Sequence, residues 1–244
     1  MAKKKTRKAS SRSKKRNQAP RIFVRRVVRS IGLGVLAIVA VFSVLMFLGR
    51  FVAPWTTPYM FAESRRLGGV EYDWSPLDEI APVMARSAVA AEDADFCEHW
   101  GFDLGAIREA IEDGGARGAS TISQQVVKNL YLWQGRTYTR KALEAVLTPG
   151  LEAIWTKQRI VEVYLNIAEF DDGVFGVEAA ARHYFGVGAS ALSATQAARL
   201  AAILPDPKGR SAARPSDFVV RRARGIADGA ALIRKDGRAA CFES

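Results

Sequence analysis

An uncharged run of 19 residues, from Ile31 to Gly49, constrains this chain more than any other feature. A membrane-spanning helix needs about 20 apolar residues, whereas the apolar region of a cleaved signal peptide has only about 7–15. The run also ends in Leu48-Gly49-Arg50-Phe51 and not in a small-residue cleavage site. We therefore expect an uncleaved transmembrane anchor.

The charge of the chain lies almost entirely before this run. The first 30 residues contain 13 Lys and Arg and no acidic residue, while the remaining 214 contain 23 basic and 25 acidic residues. Positively charged flanks stay in the cytoplasm, so everything after Phe51 should lie on the outer face of the membrane. Beside a spanning helix, a basic tail indicates topology and contact with anionic lipid, and not nucleic-acid binding.

The predicted organisation follows from these limits. It comprises a basic cytoplasmic tail (1–30), a transmembrane anchor (31–51), a membrane-proximal connector (52–74) and one globular domain (75–244), which is long enough to bury a core. An oxidising compartment would permit a disulfide between Cys97 and Cys241, but nothing in the sequence proves this pairing, and two separate thiols are the simpler interpretation. No residue spacing resembles a metal site.

Helical periodicity dominates the predicted globular domain, and alternating strand patterns are scarce. The sequence therefore predicts an all-α fold. Pro149 lies inside a helical pattern that begins at Arg140, so we expect a kink or a break there. The end of the chain, from Lys208, shows no clear pattern. Helix starts are predicted from capping residues at Ser75-Pro76, at Asp103, at Gly118-Ala119-Ser120 and at Ser193-Ala194-Thr195-Gln196.

Glu92 is the first candidate for chemistry, in the stretch AEDADFCEHWGFD at 91–103. It follows a run of small residues typical of a buried helix, and a carboxylate beside an apolar wall can have the shifted pKa that acid–base catalysis requires. His99 lies seven positions further on, on the same side as Glu92 if the helix continues for two more turns. Taken alone, the stretch fits a solvated acidic helix end at least as well.

A second candidate region is GASTISQQVVKN, at 118–129. Small residues open a predicted helix whose free backbone N–H groups would favour an anion. Four cations follow closely enough to neutralise a phosphorylated group, although a run of charges by itself usually marks a solvated face. The donors and cations of this region are Ser120, Thr121, Gln124, Gln125, Lys128, Arg136, Arg140 and Lys141.

Five segments in one order carry a family resemblance. The chain resembles the biosynthetic peptidoglycan glycosyltransferases over about Trp74 to Pro207. Because it has no room for a transpeptidase domain, it resembles the monofunctional members of that family. It departs slightly from the family pattern at Ser123 and Asp171. The five segments are EDADFCEHWGFD, GASTISQQVVKN, RKALEAVLTPGLE, KQRIVEVYLN and GVFGVEAAARHYFG.

The resemblance implies a lysozyme-like glycosyltransferase domain that polymerises lipid II, which is undecaprenyl-diphosphate-linked GlcNAc-MurNAc-pentapeptide. The products are β-1,4 glycan strands and undecaprenyl diphosphate, and the anomeric configuration inverts. By similarity Glu92 is the catalytic base and Glu144 is a second catalytic glutamate near the donor site. The residues implied in substrate binding are Lys128, Arg136, Ser120, Gln124, Gln125 and Arg140.

The remaining implications concern supporting residues and partners. His99 is expected to hold the loop around Glu92 by hydrogen bonding, and Glu162 and Glu178 to form helix salt bridges. Implied partners are lipid II, the growing strand, the bacterial inner membrane and other cell-wall proteins, with no nucleic acid and with the domain in the periplasm. A divalent cation, Mg²⁺ or Mn²⁺, often assists this family, but no site for it is evident. Four residues of the connector are hypothesised to enter the bilayer interface or to pack on the domain: Trp55, Tyr59, Met60 and Phe61.

Two other functions remain in competition. A glycan-cleaving lysozyme or lytic transglycosylase would use a protonated glutamate and would not need Lys128 and Arg136. An inactive scaffold for other wall-building proteins would not need to retain the candidate catalytic side chains.

Overall fold

A computed structural model of the chain describes residues 19–114, 118–135 and 137–243, with side chains described from Phe23 onward. The chain divides into two compact units, Met1–Met46 and Phe47–Ser244. Helix α1 (Ala19–Gly49) makes up the described part of the first unit and ends just inside the second. Its Phe23–Gly49 portion is long and apolar enough to cross a membrane, as a membrane anchor requires.

The described part of the second unit is mostly helical, which confirms the predicted fold class. A small three-stranded sheet, in the order β1-β3-β2, adds to it; β1 (Glu71–Tyr72) pairs in parallel and β2 (Glu169–Asp171) antiparallel with β3 (Val174–Phe175). Such short strands leave no detectable alternation in the sequence. The helices are α2 (Pro58–Leu67), α3 (Pro82–Glu92), α4 (Leu104–Glu112), α5 (Ile122–Tyr131), α6 (Tyr138–Ile154), α7 (Lys157–Ile167), α8 (Val177–Phe185), α9 (Ala194–Ile203) and α10 (Asp217–Asp236).

Helix α7 lies at the centre of the core. Its apolar residues are buried all round, including Ile160, Val163, Tyr164 and Leu165, which is expected only of a helix packed on every side. Helix α5 packs between α6 and α7, while α3, α9 and α10 pack on one another. The core therefore fixes the carboxyl end of α3 and the amino end of α5, where the candidate residues lie.

The predicted helix start at Ser75 is wrong. Residues Leu77–Glu79 form a single 3₁₀ turn, and the α-helix begins only at Pro82. Tertiary hydrogen bonds explain the difference, because the Asn166 side chain accepts from the Ser75 N–H at 2.9 Å and donates to the Ser75 carbonyl at 2.8 Å. These bonds fix the Ser75 backbone to α7, where it cannot begin a helix.

Other local predictions have mixed outcomes. The predicted caps at Asp103 and at Ser193 are confirmed, each accepting a hydrogen bond from a backbone N–H three residues on. The start predicted at 118–120 lies slightly later, because Thr121 is the N-cap of α5. Pro149 does not break α6, which continues to Ile154 with Leu151 fully buried beyond the proline. Packing of both halves outweighs the cost of an interior proline, which is about 3 kcal/mol for the lost backbone hydrogen bond and the clash of the ring together.

The C-terminal region, which showed no clear pattern, contains the 20-residue helix α10. Five apolar residues at helical spacing form its buried stripe: Val219, Ala223, Ile226, Ala230 and Ile233. After this helix, Cys241 forms a disulfide with Cys97, with the Cα atoms 5.7 Å apart. The question that the sequence left open is thus answered in favour of pairing, and the C-terminus is joined to the loop after α3.

Removing this disulfide should lower stability. It joins residues 144 positions apart, so its loss restores much conformational freedom to the unfolded chain. We expect Cys97→Ala/Cys241→Ala to reduce the free energy of unfolding by about 2–4 kcal/mol, measured by denaturant titration in detergent. A reductant should lower the wild-type midpoint and leave the double variant unchanged; equal midpoints for both proteins without reductant would contradict the prediction.

Candidate active site

A cleft of about 400 Å³ opens where α3 ends. Its walls come from three parts of the chain that are separate in sequence: the end of α3 with the following loop, the first turns of α4, and the segment before α5. Glu92, the last residue of α3, and Ser120 both line it. The lining residues are 90–95, 103, 105, 106, 109 and 118–121.

The Glu92 carboxylate is largely buried, with 14 % of its side chain exposed. Gln125 of α5 donates from Nε2 to Oε2 at 2.9 Å, and Arg222 of α10 places Nη2 3.7 Å from Oε1. Burial raises the pKa of Glu92 above its ordinary value, although the Gln125 hydrogen bond and the charges of Arg222 and Lys128 act in the opposite direction. A raised pKa makes the carboxylate a stronger base at neutral pH.

Asp93 joins the loop after Glu92 to the start of α5. Its Oδ1 lies 2.7 Å from His99 Nε2, and its Oδ2 accepts from the Ile122 backbone N–H at 2.9 Å. The Gly101 N–H donates to His99 Nδ1, so Nε2 carries the ring proton and donates to Asp93. The expected loop-holding role of His99 is confirmed, and both residues position the end of α3 relative to α5.

Helix α5 presents its polar residues to different surroundings. Gln124 is buried, and its side chain accepts from the Thr121 N–H in a capping box, so its polar groups serve the helix end. Gln125 binds Glu92 as described. Lys128, one turn further on, lines a second cavity of about 210 Å³ together with Gln125 and Asn129.

Lys128 is a partly buried cation with no carboxylate at ion-pairing distance in the described part of the chain. Burial lowers the pKa of its ammonium group, although the negative charges of Glu144 and Glu92 act in the opposite direction. Within the residues that the structure describes, this ammonium makes no hydrogen bond and no ion pair within 4.0 Å. A desolvated cation of this kind favours an anionic ligand.

Two of the other predicted cations, Arg140 and Lys141, bind Glu144 on α6. This buried carboxylate accepts from Arg140 Nη1 at 2.6 Å and from Lys141 Nζ at 2.5 Å, and Lys141 also donates to Ser120 Oγ at 2.8 Å. In the described ranges no hydrogen bond or ion pair joins Glu144 to Glu92. Arg136, also predicted to bind substrate, lies outside the described residues.

Two residues near the predicted site were not predicted to lie there. Arg222 reaches Glu92 from the C-terminal helix, and its charged surroundings, VVRRARG, give no signal of a cleft. Tyr164, expected only to continue an apolar helix face, lines the second cavity beside Lys128. By contrast, the expected salt bridges of Glu162 with Arg159 and of Glu178 with Arg182 are present.

One carboxylate cluster has the geometry of a metal site. One oxygen each from Glu63, Glu169 and Asp172 lie within 4.8 Å of one another. The Lys208 ammonium, however, lies 2.8, 3.3 and 3.0 Å from these carboxylates, and Arg66 also pairs with Glu63 and Asp172. The Lys208 ammonium pairs with all three carboxylates and so takes the place of a metal ion, which means that this donor set does not fit a resident divalent ion.

Comparison with known proteins assigns this helical domain and its carboxylate-lined cleft to a class. The family model described as "Transglycosylase" matches residues 62–230. The chain therefore belongs to the transglycosylase family.

Its relatives are named more specifically. It is 57 % identical over 235 residues to the "Biosynthetic peptidoglycan transglycosylase" of Jannaschia sp. (strain CCS1), covering 96 % of this chain and 98 % of that protein. Proteins of the same name are 45 % identical over 224 residues in Caulobacter vibrioides (90 % and 98 % covered) and 53 % identical over 190 residues in Pseudomonas fluorescens (73 % and 79 % covered).

Two aspartates of the loop after α3 should differ sharply in their contribution to stability. Asp93→Ala leaves a buried backbone N–H and His99 without their acceptor, so the free energy of unfolding should fall by about 3 kcal/mol. Asp95→Ala removes an exposed pair with Arg238 and should cost about 0–1 kcal/mol. Denaturant titration of both variants tests this prediction, and similar losses for both would contradict it.

Proposed function

We propose that this peptidoglycan glycosyltransferase joins lipid II units into β-1,4 glycan strands, with Glu92 as the catalytic base. Glu92 takes the proton from the 4-hydroxyl of the acceptor's GlcNAc. That oxygen then attacks the anomeric carbon of the donor's MurNAc, the configuration inverts, and undecaprenyl diphosphate leaves. The raised pKa of Glu92 and its place in the wall of the 400 Å³ cleft support this role.

The observation that carries the proposal is the position of Lys128. It lies on α5 one turn after Gln125, whose side chain holds Glu92, and it has no carboxylate of its own among the described residues. A departing diphosphate is stable as an anion and needs positive charge near it more than it needs a proton. We assign Lys128 to the diphosphate and extend this assignment to Arg136 from the family resemblance alone.

The remaining site residues are assigned supporting roles. Glu144 is proposed to orient the donor, since it fixes the Arg140 guanidinium and the Lys141 ammonium at the start of α6. Ser120 lines the cleft and is proposed to contact substrate. Gln124 is assigned to holding the N-terminus of α5, because its side chain is used in the capping box.

Glycan cleavage is the alternative that a buried glutamate with a raised pKa could also serve. Such an enzyme protonates a glycosidic oxygen, and a buried cation near its acid would favour loss of that proton. Lys128 and Arg222 both act on Glu92 in that direction, which supports synthesis. The names of the relatives, biosynthetic peptidoglycan transglycosylases, support the same choice.

We propose a single-pass topology in the bacterial inner membrane, with the N-terminus in the cytoplasm and the domain in the periplasm. The basic residues before α1 support this orientation by the positive-inside rule. The disulfide between Cys97 and Cys241 also supports it, because disulfides persist in oxidising compartments such as the periplasm. Donor and growing strand both carry polyprenyl tails, so anchoring would hold the enzyme in the membrane of its substrates.

Replacing Glu92 should abolish polymerisation. We expect Glu92→Gln to reduce the rate at least about 100-fold, since the amide cannot accept the acceptor's proton. Fluorescent lipid-linked disaccharide-peptide and separation of products on a gel provide the measurement. Glu98→Gln, an exposed carboxylate in the same loop, is the matched control and should keep the full ladder of products. A full ladder from Glu92→Gln would reject this residue as the base.

Of the four connector residues that were hypothesised to enter the bilayer interface, only two are exposed enough to do so. Met60 is buried in the core, and Tyr59 is half-buried with its hydroxyl donating to Glu169 at 2.5 Å. Trp55 and Phe61 remain 84 % and 56 % exposed. We propose that these two enter the membrane interface, where aromatic side chains are favoured.

Quenching by brominated lipids should detect Trp55 in this position. In vesicles containing the full-length protein, we expect brominated lipid to quench part of the tryptophan fluorescence. This quenched component should be absent from Trp55→Phe. Trp100, another strongly exposed tryptophan, is the control, and Trp100→Phe should leave the quenched component unchanged. Equal quenching of wild type and Trp55→Phe would contradict the proposal.

A further inference from the structure

Arg222 is the charged residue that α10 brings to the candidate active site. Its Nη2 lies 3.7 Å from Glu92 Oε1 and 3.4 Å from the Ala91 carbonyl oxygen, to which it donates. Gln125 holds the other oxygen, Oε2, from α5. The two oxygens of one buried carboxylate are therefore approached by donors from two different helices.

The bonding of Arg222 differs from that of the structural arginines. Arg140 pairs with Glu144 at 2.6 Å and also donates to the Gly135 carbonyl, and Arg159 pairs with Glu162 at 2.6 Å. In the described part of the chain Arg222 has only its 3.7 Å contact with Glu92 and its 3.4 Å hydrogen bond to the Ala91 carbonyl, and its Nε is buried without a hydrogen-bond partner. An arginine whose task was only to join two helices would have its donors satisfied.

The C-terminal segment fixes this arginine relative to Glu92. Arg86, on the same helix as Glu92, pairs with Glu243 at 2.6 Å, and Arg238 donates to the Ala94 carbonyl at 3.2 Å. The disulfide from Cys97 to Cys241 adds a covalent link to the same loop. The end of α3 and the loop after it are thus held to the C-terminal segment at several points around the base.

We infer that Arg222 is a positioning residue that holds Glu92 as an oriented carboxylate ready to accept the acceptor's proton, an inference that rests on the proposed role of Glu92. Arg222 acts through Glu92 and is assigned no contact with substrate. The charge of Lys128 also lowers the pKa of Glu92, but a bound diphosphate would pair with Lys128 and neutralise this charge. Arg222 is then the cation that remains for the base throughout the reaction.

The other groups that face Glu92 add no further positive charge to it in the described chain. Asp93, next in the chain, favours the protonated form of Glu92, and the Gln125 amide is neutral. Tyr164 of α7 stays a neutral phenol, because burial and the charges of Glu92 and Asp93 raise the pKa of its hydroxyl. Apart from Lys128, Arg222 is thus the one cation acting on Glu92 among the charged groups of the described chain that face it.

The pH dependence of polymerisation tests the inference in the full-length protein. Activity requires ionised Glu92, so kcat/KM falls as the pH drops below the pKa of this carboxyl. Losing a positive charge within about 4 Å raises that pKa, so the acidic limb of Arg222→Gln should move about one pH unit upward. The loss of kcat/KM in Arg222→Gln should be about tenfold at pH values below the limb and small at pH values above it. The limb of Arg222→Lys should lie between those of the wild type and Arg222→Gln.

Arg221→Gln is the matched control, because it removes the same charge from the exposed neighbouring position and should leave the limb in place. An unmoved limb for Arg222→Gln, even with a lower rate, would overturn the inference and leave Arg222 a structural residue. If Arg222→Gln shows no cooperative thermal unfolding, and so is not folded, Arg222→Lys is used in its place. A limb moved to higher pH supports the inference, and an unmoved limb overturns it. Glu92→Gln, assayed alongside, tests the proposed function separately: a fully active Glu92→Gln would reject the base and this inference together.

Discussion

A carboxylate buried at the carboxyl end of a helix is the constraint on which the rest of this site depends. Glu92 closes α3, where the partial negative charge of the helix end disfavours an anion, and burial disfavours it further. To act as the proposed base, Glu92 must nevertheless ionise. The fold supplies compensation from two directions, the Gln125 amide from α5 and the Arg222 guanidinium from α10. The packing of three helices thus sets the proton affinity of one side chain.

The cations of the second unit fall into two groups by their partners. Arg140, Lys141 and Lys208 are paired with carboxylates at hydrogen-bonding distance and hold parts of the fold together. Lys128 and Arg222 lack such close carboxylate partners in the described chain, and the charges of both lower the pKa of Glu92. Positive charge that the fold has not already neutralised is the charge available to a diphosphate and to a catalytic base. Net charge alone does not distinguish the two groups.

Much of the local structure was predictable because its causes are local. Asp103 and Ser193 cap helices through atoms three residues away, and the apolar stripe of α7 repeats within a single helix. The failures have distant causes. Ser75 starts no helix because Asn166, far along the chain, binds its backbone. Helix α10 was not predicted, because its apolar stripe of five residues lies within a basic segment and becomes evident only when the core buries it.

The sequence by itself determined the apolar helix that fits a membrane anchor, the helical class, the family and the identity of the candidate base, since these depend on runs, periods and motifs that short stretches of chain contain. Only the tertiary structure decided that Cys97 pairs with Cys241, that Gln124 caps a helix while Gln125 holds Glu92, and that Arg222 joins the site. The physical reason is distance along the chain. A pKa and a positive charge near it depend on groups that meet only when the core brings α3, α5 and α10 together.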